Sequence, residues 1–120
     1  MDKKLILAID DNMSQHILFQ GILVPKYTLR AAKSASEAMS FINATQADVV
    51  LLDIEMPNIS GFEFLEDIRK ISSYVNVPII IVSGQTGQDF FDEVKKSSAT
   101  DYLTKPVDPE VLLNTIEKYL

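Results

Sequence analysis

Cysteine is absent from all 120 residues. Neither a disulfide nor a thiolate metal site is therefore available, which suits a reducing cytoplasm. Positive charge is in short supply, with 11 Lys and Arg against 17 Asp and Glu and a formal net charge of −6. That balance argues against a nucleic-acid-binding surface, because phosphate backbones are met by Lys and Arg. No apolar stretch approaches membrane-spanning length. The run Leu5-Ile6-Leu7-Ala8-Ile9 follows two lysines but stops at Asp10-Asp11, and no cleavage pattern follows it. It is too short for the apolar region of a signal peptide. Internal repeats, low-complexity tracts and Ser/Gly/Pro linkers are also missing. The expectation is one soluble, cytoplasmic domain spanning residues 1–120, with no membrane contact.

What is present is a core. Apolar residues make up 47% of the chain, enough for one well-buried domain of this length. Short aliphatic runs alternate with longer helical patterns. Lys4 to Ile9, Val49 to Leu52 and Ile79 to Val82 are continuous rather than alternating, as strands buried on both faces of a parallel sheet should be. Tyr27 to Ala31 and Tyr102 to Thr104 are weaker strands, suited to the sheet edges.

The helices between them have legible ends. Ser34 with Glu37, and Ser60 with Glu63, read as capping boxes ahead of apolar stripes. Asp108 followed by Pro109 reads as an N-cap with proline in the first turn. Pro25 closes a helix that starts near Ser14, and a fourth helix runs from Asp89 to about Ser97. Five strands and five helices in strict alternation call for right-handed βαβ crossovers. The fold class is thus α/β: a flavodoxin-like (βα)5 three-layer sandwich, its five-stranded parallel sheet in the order 2-1-3-4-5. In that order the ligand crevice lies at the carboxyl ends of the first and third strands.

The polar residues at those carboxyl ends carry the chemistry. The first strand ends in Asp10-Asp11, the third in Asp53, the fourth in Ser83 and the fifth in Thr104-Lys105-Pro106. Three carboxylates, a hydroxyl and an ammonium would share one rim. Carboxylates so close raise one another's pKa unless a cation lies between them. A hard divalent ion such as Mg²⁺ suits oxygen ligands and shares its remaining positions with phosphate. An aspartate beside such an ion can act as a nucleophile towards phosphorus and form an acyl phosphate. Lys105 and Ser83 would then meet the added charge.

Asp10-Asp11, Asp53 with Met56-Pro57 and Gly61, Ser83-Gly84, and Asp101-Tyr102-Leu103-Thr104-Lys105-Pro106 together resemble the response-regulator receiver domain family, from first strand to last helix. The resemblance implies that Asp53 is the phosphoacceptor. Asp10, Asp11 and Asp53 would bind Mg²⁺ with the backbone carbonyl of Glu55. Ser83 and Lys105 would contact the phosphoryl oxygens, and the Lys105–Pro106 bond would be cis. Ser83 and Tyr102 would be the switch pair, altering the surface of the fourth helix, fifth strand and fifth helix. Glu55 and Gln85 would flank the phosphoryl position and tune its hydrolysis. The implied partners are a sensor histidine kinase or phosphotransfer protein and a downstream output domain or protein. A homodimer is compatible with the pattern. The domain would catalyse only its own phosphorylation and dephosphorylation.

Each piece taken singly has a duller reading. Asp10-Asp11 and Asp53 can be turn caps, Ser83-Gly84 a common turn, Lys105 a solvated strand exit and Tyr102 half-buried packing. Their co-occurrence at one rim is what favours a site. For His16 the dull reading is preferred, as solvated surface of the first helix, and Lys95-Lys96 reads as an exposed helical face. Phe90 and Phe91, being adjacent, cannot both face the core fully. Ser97-Ser98-Ala99 stands where the family would close the fourth helix with glycine. Among rival functions, a small-molecule aspartyl-phosphate phosphatase would need a substrate cap. A flavin carrier would need a phosphate loop where Asp10-Asp11-Asn12 would repel the phosphate. A receiver degenerated to a binding module would have lost site residues.

Overall fold

The computed structural model describes residues 3–120. Along the chain run β1 (Leu5–Ile9), α1 (Met13–Leu23), β2 (Thr28–Ala32), α2 (Ala35–Ala44), β3 (Val49–Leu52), α3 (Gly61–Arg69), β4 (Ile79–Ser83), α4 (Gln88–Lys96), β5 (Asp101–Thr104) and α5 (Pro109–Tyr119). A 3-10 turn at Ser72–Tyr74, unforeseen in the sequence, follows α3. The strands form one parallel sheet in the order β2-β1-β3-β4-β5, so the expected topology stands and the two weaker strands are its edges. Strand bounds differ from the sequence expectation by about one residue at an end.

The continuous aliphatic runs are explained by the two faces they serve. Successive side chains of a strand point to opposite sides. Leu7, Ile9, Val50, Leu52, Ile79 and Ile81 pack with Ala38, Ile42, Phe64, Leu65, Ile68, Phe90 and Val94 of α2, α3 and α4. Ile6, Ala8, Val49, Leu51, Ile80 and Val82 pack with Phe19, Leu23, Leu112 and Ile116 of α1 and α5. None of these twelve strand residues is more than 1% exposed. A polar residue at any of them would be buried without water, so hydrophobicity is required on both faces.

The helix starts follow the capping signals. Asn12 accepts the Ser14 N–H for α1, Ser34 accepts Glu37 N–H for α2, Ser60 accepts Glu63 N–H for α3, and Asp108 accepts the Glu110 and Val111 N–H groups for α5. Helix α4 begins instead behind Gly87, whose φ of 115° favours glycine. It ends without a left-handed residue. Ser97 is extended, its hydroxyl donating to the Val94 carbonyl. The next residue, Ser98, is gripped from α3: Glu66 accepts its N–H and O–H, and the Arg69 guanidinium donates to its carbonyl. Cross-element hydrogen bonds thus take over the closure that glycine would have supplied locally. Among the described residues no helix is long and apolar enough to cross a membrane.

One glycine is obligatory for close approach. A Cβ at Gly61 would lie 2.5 Å from the carbonyl oxygen of Ile54 and 2.6 Å from its Cα. The first turn of α3 is thereby pressed onto the segment just after β3. Gly61→Ala is expected to cost about 1–3 kcal/mol, by analogy with overpacked cores. A fall in the urea midpoint at unchanged m-value would register it, whereas an unchanged midpoint would mean that the loop yields freely.

Candidate functional site

In a parallel sheet every strand delivers its carboxyl end to the same rim, and adjacency decides which residues meet. β1 and β3 are neighbours, with Ile9 opposite Leu52. The Asp53 N–H donates to the Ile9 carbonyl at 2.9 Å, so the ladder runs on into the residue that leaves the sheet. Asp10 and Asp53 are therefore placed side by side by register alone. Both are nearly sealed from solvent, at 1% and 4% exposure, while Asp11 is exposed at the rim. The carboxylates of Asp10, Asp11 and Asp53 bring oxygens within 4.8 Å of one another.

The counter-charge comes from the other side. β5 pairs with β4 in register with Ser83 opposite Thr104, and Lys105 N–H donates to the Ser83 carbonyl at 2.8 Å. Lys105 then turns across the site. Its Nζ lies 3.1 Å from Asp10 Oδ2 and 3.6 Å from Asp53 Oδ2. The Lys105–Pro106 peptide bond is cis, as expected, and Val24–Pro25 is a second cis bond.

The ionisation of these groups reflects the crowding. Burial pushes the Asp53 carboxyl above its ordinary value, and the Asp10 charge adds to that. The Glu55 N–H at 2.9 Å and the Lys105 ammonium oppose the rise without cancelling it. Lys105 is pulled down by burial, but its hydrogen bond to Asp10 and the charges of Asp53 and Asp10 outweigh this and raise it. One ammonium therefore serves two buried carboxylates. The donor set left over is hard oxygen of high negative charge, which suits Mg²⁺.

One expectation changes on contact with the structure. His16 is not solvated surface. It is buried at 5% exposure, its Nε2 lies 2.7 Å from the Asp10 carbonyl oxygen, and its Nδ1 has no partner. The imidazole thus supports the backbone of Asp10 from beneath. The signal was available, since His16, Phe19 and Leu23 fall on one helical face, the buried one. Phe90 and Phe91 divide as adjacent helical residues were expected to: Phe90 is in the core, and Phe91 is half-buried, 5.2 Å from the Tyr102 ring. Together with Phe62 they form an aromatic row from α3 through α4 to β5. Tyr102 is 37% exposed at its end, and Lys95 and Lys96 are solvated as expected.

Ser83 is buried, and its hydroxyl is already engaged. It accepts the Gln85 N–H at 3.1 Å and donates to Glu55 Oε1 at 2.6 Å, an oxygen that also accepts the Gly84 N–H at 3.0 Å. The Glu55 side chain was not foreseen as a contact of Ser83: strand order brings both to one rim, but side-chain direction decides which atoms meet there.

The chain is similar to known proteins along nearly its whole length. A family model described as "Response regulator receiver domain" matches residues 6–117. The chain is 34% identical over 118 residues to Protein PilH of Pseudomonas aeruginosa, covering 96% of each. It is 36% identical to the CAI-1 autoinducer sensor kinase/phosphatase CqsS of Vibrio cholerae, spanning only 17% of that protein's length. The structure of Vibrio cholerae chemotaxis protein CheY4 superposes with a TM-score of 0.91 at 32% identity, over 98% of this chain and 99% of that one.

A raised carboxyl pKa carries a sign. The folded state holds the Asp53 proton more tightly than the unfolded chain, so stability is lost as pH rises from the ordinary value of 3.8 through the folded one. At neutral pH without metal the ionised Asp53 is a destabilising group. Asp53→Asn should therefore melt above wild type at pH 7 in chelator, with the gap closing as the pH falls towards 4. Thermal scans across that range test it, and a variant that melts lower throughout would contradict it.

Proposed function

This chain belongs to the response regulator receiver domain family, the signalling domains of two-component systems, and we propose that Asp53 is where it accepts a phosphoryl group. The observation that supports this most is a buried aspartate with two further carboxylates, one ammonium and one hydroxyl-bearing strand end around it. A carboxylate serves as a nucleophile when its charge is held in place but not neutralised by a proton. Lys105 does the holding, while Asp10 keeps the local charge high.

In the reaction an Asp53 oxygen forms a bond to phosphorus as the bond from phosphorus to the donor's leaving atom breaks. With a phosphohistidine donor that atom is an imidazole nitrogen. Asp10, Asp11, Asp53 and the Glu55 carbonyl would hold Mg²⁺. When bound, the ion offsets the carboxylate charge and that of the phosphoryl oxygens. Lys105 is already poised between Asp10 and Asp53 and would turn its ammonium to a phosphoryl oxygen. Ser83 would donate its hydroxyl to another. Hydrolysis of the acyl phosphate by water would reset the domain.

The readout surface follows from the same contacts. Ser83 opens the β4–α4 loop, and Tyr102 sits two residues before Thr104, the register partner of Ser83. A shift of Ser83 towards phosphate would free space for Tyr102 to leave the Phe91 ring and turn inward, changing the α4–β5–α5 face. The donor would be a histidine kinase, a phosphotransfer protein or a small phosphodonor. The responder would be an output domain or protein, with residues 1–120 acting as one cytoplasmic receiver unit.

Intact-mass measurement after incubation with Mg²⁺ and acetyl phosphate tests the assignment. Wild type should gain one phosphoryl group, and Asp53→Asn or added chelator should abolish the gain. Lys105→Ala should slow it by roughly 10²-fold, the usual cost of losing one charge-stabilising donor. Absence of any gain, together with no binding of beryllofluoride, would overturn Asp53 as acceptor.

A further inference from the structure

The Glu55 side chain has no part in the reaction as described, yet it makes two hydrogen bonds at the rim of the site. Its Oε1 accepts from the Ser83 hydroxyl at 2.6 Å and from the Gly84 amide at 3.0 Å. One oxygen received by a hydroxyl and a backbone N–H is the coordination that a phosphoryl oxygen would receive from the same loop. The Ser83 hydrogen cannot be shared. A hydroxyl has one hydrogen to donate, and its oxygen is already occupied by the Gln85 N–H at 3.1 Å. To donate to a phosphoryl group, Ser83 must let Glu55 go.

We propose that the Glu55 carboxylate is an internal surrogate anion, which latches the β4–α4 loop in the unphosphorylated state and is displaced from Ser83 by the phosphoryl group. The proposal rests on Asp53 as the acceptor and assigns a regulator to that site. Two forces drive the displacement in the same direction. Phosphorylation places roughly two negative charges near Glu55, and the phosphoryl oxygens are the stronger acceptors. Release is local in its sequence requirements. A Cβ added at Gly84 would meet only Glu55 Oε1, at an ordinary 3.7 Å, so no close packing of backbone pins that part of the loop. Gly87, at φ 115°, gives the same loop a second permissive position before α4 begins. The far end of α4 is held by the Glu66 and Arg69 contacts to Ser98, so movement would be confined to its near end. Glu55 is thus a positioning residue that sets the threshold for switching, and it forms no bond to phosphorus.

Beryllofluoride binding with Mg²⁺, followed by fluorine NMR, tests the latch in wild type, Glu55→Gln, Ser83→Ala and the double variant. Glu55 is exposed, so its amide isostere should leave the fold intact. Glu55→Gln is expected to tighten binding about three- to tenfold, the net scale of one ordinary hydrogen bond, since the amide oxygen can still accept weakly from Ser83. The same change made on Ser83→Ala should give less than half that gain in logarithmic terms, because the contested hydroxyl is gone. Hydrogen exchange at the Gly84 amide, without ligand, should quicken in Glu55→Gln. Equal gains with and without Ser83 would mean that Glu55 acts through charge alone, and unchanged affinity would mean no latch; either overturns the proposal. Failure of wild type to bind beryllofluoride at all would overturn Asp53 as acceptor, and the competition with it.

Discussion

The single ammonium of Lys105, stretched between two buried carboxylates, is the interaction on which the site depends. Asp10 and Asp53 are placed side by side by the β1–β3 ladder, whether or not their charges favour it. Two like charges removed from water cost several kcal/mol each unless compensated. Lys105 reaches both, at 3.1 and 3.6 Å, and remains the only side-chain cation paired with either among the described residues. It covers one positive charge against three negative ones. Burial, with the Asp10 charge added to it, makes Asp53 hold its proton more tightly than a free carboxyl would, and the charge deficit makes a divalent cation the natural complement.

The rest of the fold serves that arrangement. Aliphatic packing on both sheet faces makes β1, β3 and β4 rigid. Their polar ends therefore have little freedom to move apart and relieve the repulsion. His16 braces the Asp10 carbonyl from α1, and Gly61 lets α3 press against Ile54, next to the Glu55 carbonyl. Strain of this kind, held by packing elsewhere, is common where reactivity is needed. The β4–α4 loop differs from this frame. It starts at the buried Ser83, donates both hydrogen bonds to Glu55, and runs through exposed residues 84–87 to a permissive glycine. Rigidity is thus given to the nucleophile and freedom to the responder.

Much of this was legible along the chain. Continuous aliphatic runs announced doubly covered strands, and Ser34, Ser60 and Asp108 marked helix starts that the hydrogen bonds bear out. The weaker runs went to the edges because an edge strand such as β2 needs little burial. His16 was misread because a histidine suggests water, while its burial is set by the face it shares with Phe19 and Leu23. The close of α4 was unreadable for a different reason: Ser98 is held by Glu66 and Arg69, and no local rule contains a partner from another helix.

By itself, then, the sequence determined the order of elements, the two-faced core and the rim at which Asp10, Asp11, Asp53, Ser83 and Lys105 must emerge. Period, capping and strand ends are short-range properties, and short-range properties are written in neighbouring residues. Only the tertiary structure decided which oxygen faces which nitrogen. Lys105 between two aspartates, His16 beneath a backbone carbonyl, and Glu55 on the hydroxyl of Ser83 join residues 95, 6 and 28 positions apart. Such pairings depend on strand register and side-chain direction, which exist only once the sheet has closed around its core.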